Sequence, residues 1–89
     1  MAVRFTTNID CCKGFMSNIS GLPLEMIRPV VGEKVLVYHD SEFELWMPVA
    51  ECRWKLTNGT SPDLICELSC PSHLNIPQLE KLLRGAFGR

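Results

Sequence analysis

Residues 34–57 read KVLVYHDSEFELWMPVAECRWKLT, and the period of this stretch decides the fold. Lys34 to His39 and Glu42 to Met47 read as two strands joined by a short polar turn. Pairing Tyr38 with Phe43 puts Leu36, Tyr38, Phe43 and Leu45 on one wholly apolar face. Val35, Val37, His39, Glu42, Glu44 and Trp46 then share the other. From Ala50 to Thr57 the alternation is cleaner. Ala50, Cys52, Trp54 and Leu56 oppose Glu51, Arg53, Lys55 and Thr57, the pattern of an antiparallel strand wetted on one side.

Asp63 to Cys70 continues the pattern, with Leu64, Cys66, Leu68 and Cys70 on one side. Asn58-Gly59 suits a two-residue type I′ turn. That turn would pair Trp54 with Asp63 and draw Pro62 into the ladder. A loop over 57–63 instead pairs Leu56 with Leu64, Trp54 with Cys66, Cys52 with Leu68 and Ala50 with Cys70. A one-residue slip would send the apolar set to solvent, so this longer loop is the expected connection.

Outward from the meander, Val3 to Thr7 alternates as a further N-terminal strand. Cys12, Phe15, Met16 and Ile19 follow at helical spacing, which predicts a helix near 10–20. Asp10 suits its start and Gly21 its end. Pro23 opens a second short helical turn over 24–27, which Pro29 stops. At the other end, Pro77 begins an amphipathic helix over 77–87. Leu79, Leu82, Leu83 and Ala86 form its stripe, while Glu80, Lys81 and Arg84 face water. The expected fold is α+β, one small domain over 1–89. Its sheet is an antiparallel meander of strands 34–39, 42–47, 50–57 and 63–70, plus the N-terminal strand 3–7.

Composition agrees with a globular chain. Of 89 residues 46% are hydrophobic and 21% charged, and the formal net charge is −1. Disorder needs fewer apolar residues, and a general nucleic-acid binder carries a basic excess. No apolar run is long enough for a membrane span. Five cysteines, with no apolar leader segment at the N-terminus, favour a reducing cytoplasmic setting over a disulfide framework.

Three constellations bear on chemistry. Cys66, Cys70 and His73 have the ligand types of a zinc site. Yet on one strand Cys66 and Cys70 would stand about 13 Å apart. Zinc-bound sulfurs sit within about 4 Å of each other, so strand and single site exclude each other. The bland reading, small core hydrophobes, is preferred for these thiols. A cysteine nucleophile needs an oriented histidine, and only His39 and His73 exist. Turn histidines and structural thiols explain them as well. Arg53, Lys55 and Lys34 could form a basic strip, but Glu42, Glu44, Glu51 and Glu67 dilute it.

The stretch Gly32 to Tyr38, followed by Trp46-Met47-Pro48-Val49, resembles two things. One is the opening hairpin of SH3-like barrels such as Tudor domains. The other is a small phage-type domain family with a similar tripeptide. An aromatic cage of the kind the first resemblance implies needs several exposed aromatics, and only Trp46, Tyr38 and Phe43 lie close, with Tyr38 and Phe43 on the expected core face. The resemblance spans under a quarter of the chain and assigns no family.

Few catalytic groups and a surplus of large apolar residues favour a non-enzymatic interaction or regulatory module, needing no cofactor. Its contact surface, toward a protein partner or a second copy, is expected among Val35, Val37, Trp46, Leu79, Leu82 and Leu83. Each of these also has the plainer reading of an internal core residue.

Overall fold

The computed structural model describes residues 2–19, 21–23, 29–56 and 62–87, with backbone alone at 18, 23 and 87. The strands are β1 (Ala2–Thr6), β2 (Leu22–Pro23), β3 (Lys34–His39), β4 (Glu44–Lys55) and β5 (Asp63–Leu68). A 3-10 turn, Asp10–Cys12, runs into α1 (Lys13–Ile19), and α2 spans Ile76–Phe87. The α+β class stands. The sheet is mixed, not an antiparallel meander, in the order β2-β1-β5-β4-β3. The correction lies in β1. It pairs in parallel with β5, Val3 opposite Leu64 and Phe5 opposite Cys66, and so sits inside the sheet.

The two expected strands 42–47 and 50–57 are one strand, β4. The sequence breaks its parity between Val49 and Cys52, and a bulge at Ala50 absorbs the change. A bulge adds one residue to one strand, so inward odd positions give way to inward even ones. Leu45, Met47 and Val49 are buried before it, and Cys52 packs on the core after it. The β4–β5 register differs from expectation by two residues. Trp54 opposes Leu64 and Cys52 opposes Cys66, and a slip of two keeps every face. Trp54 is 56% and Leu56 81% exposed, against the expected burial. They lie at the far end of β4, whereas α1 packs mainly on β1 and β3, and α2 on the 3-10 turn.

A second irregularity falls in β3 at Val37. Val35 opposes Met47 on the core side, Leu36 opposes Trp46 on the outer side, and Tyr38 opposes Leu45 on the core side again. The expected faces are therefore half exchanged. Leu36 leaves the core face and Val35 joins it, because one extra residue shifts the parity.

The core lies between the inner sheet face and the helices. Phe15 and Met16 of α1 meet Val3, Phe5, Leu45, Met47, Leu64 and Leu68 of the sheet, with Leu79 and Leu83 of α2. Asp10 does not cap its helix; Ile9 takes that place, and Asp10 pairs with Lys13 at 2.7 Å. Gly21 follows α1 at φ +87°, where a side chain would be strained, and its N–H donates to the Val3 carbonyl at 2.9 Å. The start of α2 is a capping box. The Asn75 N–H donates to Gln78 Oε1 at 3.0 Å, and the Gln78 N–H donates to Asn75 Oδ1 at 2.9 Å. The expected helical turn at 24–27 and the Asn58-Gly59 connection lie outside the described residues.

Candidate functional site

The β3–β4 hairpin extends beyond the C-terminal end of β5. Its turn is fixed by Asp40, whose Oδ1 accepts from the Glu42 N–H at 2.7 Å and the Phe43 N–H at 2.9 Å. Oδ2 accepts from the Tyr38 hydroxyl at 3.0 Å. Tyr38 in turn stands edge-on to Phe15, centroids 5.0 Å apart, and 5.4 Å from Phe43. A row of three rings thus runs from α1 through the hairpin to Phe43. Tyr38 and Phe43 are used in packing and only Trp46 of the three is exposed, so no aromatic cage forms from them.

Phe43 forms the floor of an open groove between the hairpin and α2. One lobe, about 540 Å³, is lined by Asp40, Glu42, Phe43, Leu74, Gln78, Lys81, Leu82, Gly85 and Ala86. A second lobe, about 510 Å³, is lined by Lys34, Phe43, Glu44, Leu45, Trp46, His73, Leu74 and Leu82. Phe43, Leu74 and Leu82 line both lobes and give the groove an apolar floor. Its rim mixes Asp40, Glu42 and Glu44 with Lys34 and Lys81. Trp46 is 43% exposed, with its indole N–H 3.3 Å from Glu44 Oε2, and Leu82 is 40% exposed.

Glu44, Leu45 and Trp46 of β4 line the second lobe. Along Glu44 to Met47, β3 pairs with one edge of β4. On the second edge the β5 ladder ends at Val49–Leu68, with one more bond from the Ser69 N–H to the Pro48 carbonyl. The chain then turns at Pro71 into α2. Among the described residues no strand lies against that second edge of 44–47.

Two of the six expected contact residues, Trp46 and Leu82, come together in this groove. The other four do not. Val37, Leu79 and Leu83 are buried, and Val35 packs against the same core. Phe43 and Leu74 were missing from the expected set. Leu74 carried a signal: it is a large apolar residue in the short polar turn that follows Pro71, where a solvated turn has no use for it.

The thiols divide into two groups. Cys52 faces Cys66 across β4 and β5. Cys11 and Cys12 have sulfurs 3.9 Å apart near Cys70, whose thiol lies 3.4 Å from the Leu74 carbonyl. Cys66 and Cys70 thus belong to different groups, and His73 is exposed on the groove rim. Among the described residues no three of His, Cys, Asp and Glu form a group able to hold a metal ion. Burial pushes the Cys12 and Cys66 thiols up to about 12, helped by Cys11 and Cys52 respectively. Burial also raises Cys70. At neutral pH these three rest as protonated thiols, as packed cysteines do. Elsewhere Arg4 bonds Asp63 at 3.1 Å and holds its carboxyl below the usual range. Glu51 opposite Glu67 and Lys55 opposite Asp63 interrupt the expected basic strip.

The raised thiols predict a fold that weakens in alkali. A folded-state value above the unfolded one gives stability that is complete below the unfolded value. It is lost as pH rises from about 9 toward about 12. The urea midpoint is expected to fall from pH 9 to pH 11. The fall should be shallower in Cys66→Ala than in the parent chain; parallel pH profiles would contradict this origin.

Among the described residues no helix is long and apolar enough to cross a membrane. No family model, no curated protein and no solved structure matches the chain.

Proposed function

We propose that the chain is a small non-enzymatic interaction module, working in a reducing cytoplasmic setting, that holds an extended apolar segment of a partner protein. The segment would lie in the groove between β4 and α2. The observation that supports this reading is the second edge of residues 44–47 beside the floor of Phe43, Leu74 and Leu82. A strand edge offers backbone N–H and C=O groups to an extended chain, and alternate side chains of that chain point the same way. An apolar residue at every second position would then reach the floor. A helix would leave the edge groups unpaired, at a cost for each one buried.

Panning a displayed random peptide library against the folded chain tests the reading. Selected peptides should be extended with alternate apolar residues. Leu82→Glu should weaken their binding about tenfold or more, as loss of a central apolar contact does. Its thermal unfolding should stay near that of the parent, because Leu82 is partly exposed. Trp46→Ala should weaken binding in the same direction. A folded Leu82→Glu chain that binds the peptides unchanged would remove the groove from consideration. A dimer of the parent chain that Leu82→Glu separates would identify the bound segment as a second copy.

A further inference from the structure

Cys52 and Cys66 stand directly opposite each other in the antiparallel β4–β5 ladder. Opposed residues in such a ladder have Cα atoms about 4.5 or 5.5 Å apart. Both separations fall within the roughly 4.4–6.8 Å that a disulfide spans. Both side chains face inward, Cys66 within the core and Cys52 packed on its margin. Both thiols are free, but their exposure differs. Cys66 is buried, whereas Cys52 is half-buried, with its sulfur 3.9 Å from the Pro29 carbonyl. The remaining cysteines gather elsewhere, at the 3-10 turn and the segment after β5. Cys52 is therefore the thiol that Cys66 meets.

We propose that Cys52 and Cys66 are a reversible modification site, a thiol pair that a peroxide-class oxidant closes into a disulfide within the folded chain. Cys52, the side that solvent reaches, loses its proton and attacks a peroxide oxygen. The O–O bond breaks, the departing hydroxide takes up the proton as water, and Cys52 becomes a sulfenic acid. The Cys66 sulfur then attacks the Cys52 sulfur. The S–O bond breaks, and the hydroxide leaves with the Cys66 proton as a second water. Two thiols and one peroxide give one disulfide and two waters; the sulfurs lose the two electrons that the peroxide gains. A dithiol reductant reverses the bond by exchange. In a reducing compartment such bonds are transient and act as sensors.

The test is peroxide treatment of the folded chain, followed by alkylation, denaturation and peptide mass mapping. Glu67 lies between Cys66 and Cys70, so cleavage after Glu, Lys and Arg separates those two thiols. The expected product is an intrachain bond joining the Cys52 and Cys66 peptides, with the mass loss of two hydrogens and full recovery on reduction. In Cys66→Ala the bond is lost, and a sulfenic acid on Cys52 is trapped by a dione reagent. If that variant does not fold, Cys52→Ser, altered at the more exposed position, should lose the same bond. Dominant linkage of Cys11 to Cys70, linkage between chains, or full alkylation of both Cys52 and Cys66 would overturn the assignment.

Discussion

Val3→Asp leaves the chain unfolded at neutral pH. Val3 is 0% exposed, and its strand lies between β2 and β5, where Leu64 stands opposite it. The core around it offers the carboxylate no cation; Arg4 points to the outer face and is held by Asp63. An unpaired buried charge costs several kcal/mol even after relaxation. A chain of this size has about 5–10 kcal/mol in all. The penalty also has a direction in pH. A buried carboxyl titrates above its unfolded value, so the variant is most stable below about pH 4 and loses stability as pH rises. Circular dichroism should show an unfolded chain at pH 7 and a partial return of structure near pH 4. Thr6→Lys, on the same strand but facing outward opposite Glu67, should stay folded. A Val3→Asp chain that melts almost like the parent would mean that β1 is not an internal strand.

The second large effect belongs to Phe15→Ala, with an expected loss of about 3–5 kcal/mol in urea denaturation. Phe15 is 1% exposed and stands edge-on to Tyr38. Such a pair contributes about 0.5–1.5 kcal/mol beyond burial. α1 has only 7 residues, too few to persist without the surface it covers. Removing its largest side chain therefore removes most of the reason for the helix. The effect reaches the groove as well. Phe43 rests on Tyr38, and Tyr38 rests on Phe15, so peptide affinity should fall together with stability. Phe15→Leu, which keeps most of the volume, should cost much less. A loss below about 1 kcal/mol for Phe15→Ala would show that the ring row does not anchor the hairpin.

Much of this fold could be read from local period. β3 was expected at 34–39 and lies there, α2 begins one residue before its expected start, and the 3-10 turn with α1 covers Asp10 to Ile19 where a helix near 10–20 was expected. What escaped was parity and partnership. The inward residues Leu45, Met47 and Val49 are odd, and Cys52 is even. A sequence read for strict alternation meets that change as a chain break, whereas the bulge at Ala50 makes it inside one strand. β1 misled for a related reason. Val3 and Phe5 alternate with Arg4 and Thr6, which suggests an antiparallel strand, because parallel strands are usually apolar on both faces. Here the sheet is covered on one face, so its parallel pair keeps the one-sided pattern. The groove was half legible. Exposed Trp46 and the outer side of the α2 stripe pointed to it, but its floor depends on where the chain turns after Ser69, and no local period records that.

The parallel pairing of β1 with β5 also governs when the fold can form. Val3 and Leu64 are separated by about 60 positions, and the sheet cannot close between them until both are available. At a synthesis rate of about 5–20 residues per second, β1 waits several seconds for its neighbour. During that interval Val3 and Phe5 have only the short β2 edge and α1 to lean on. Non-local closure of this kind places refolding toward the millisecond-to-second range, slower than for helical chains of equal length. The earliest of these strands in the chain is thus among the last to be secured.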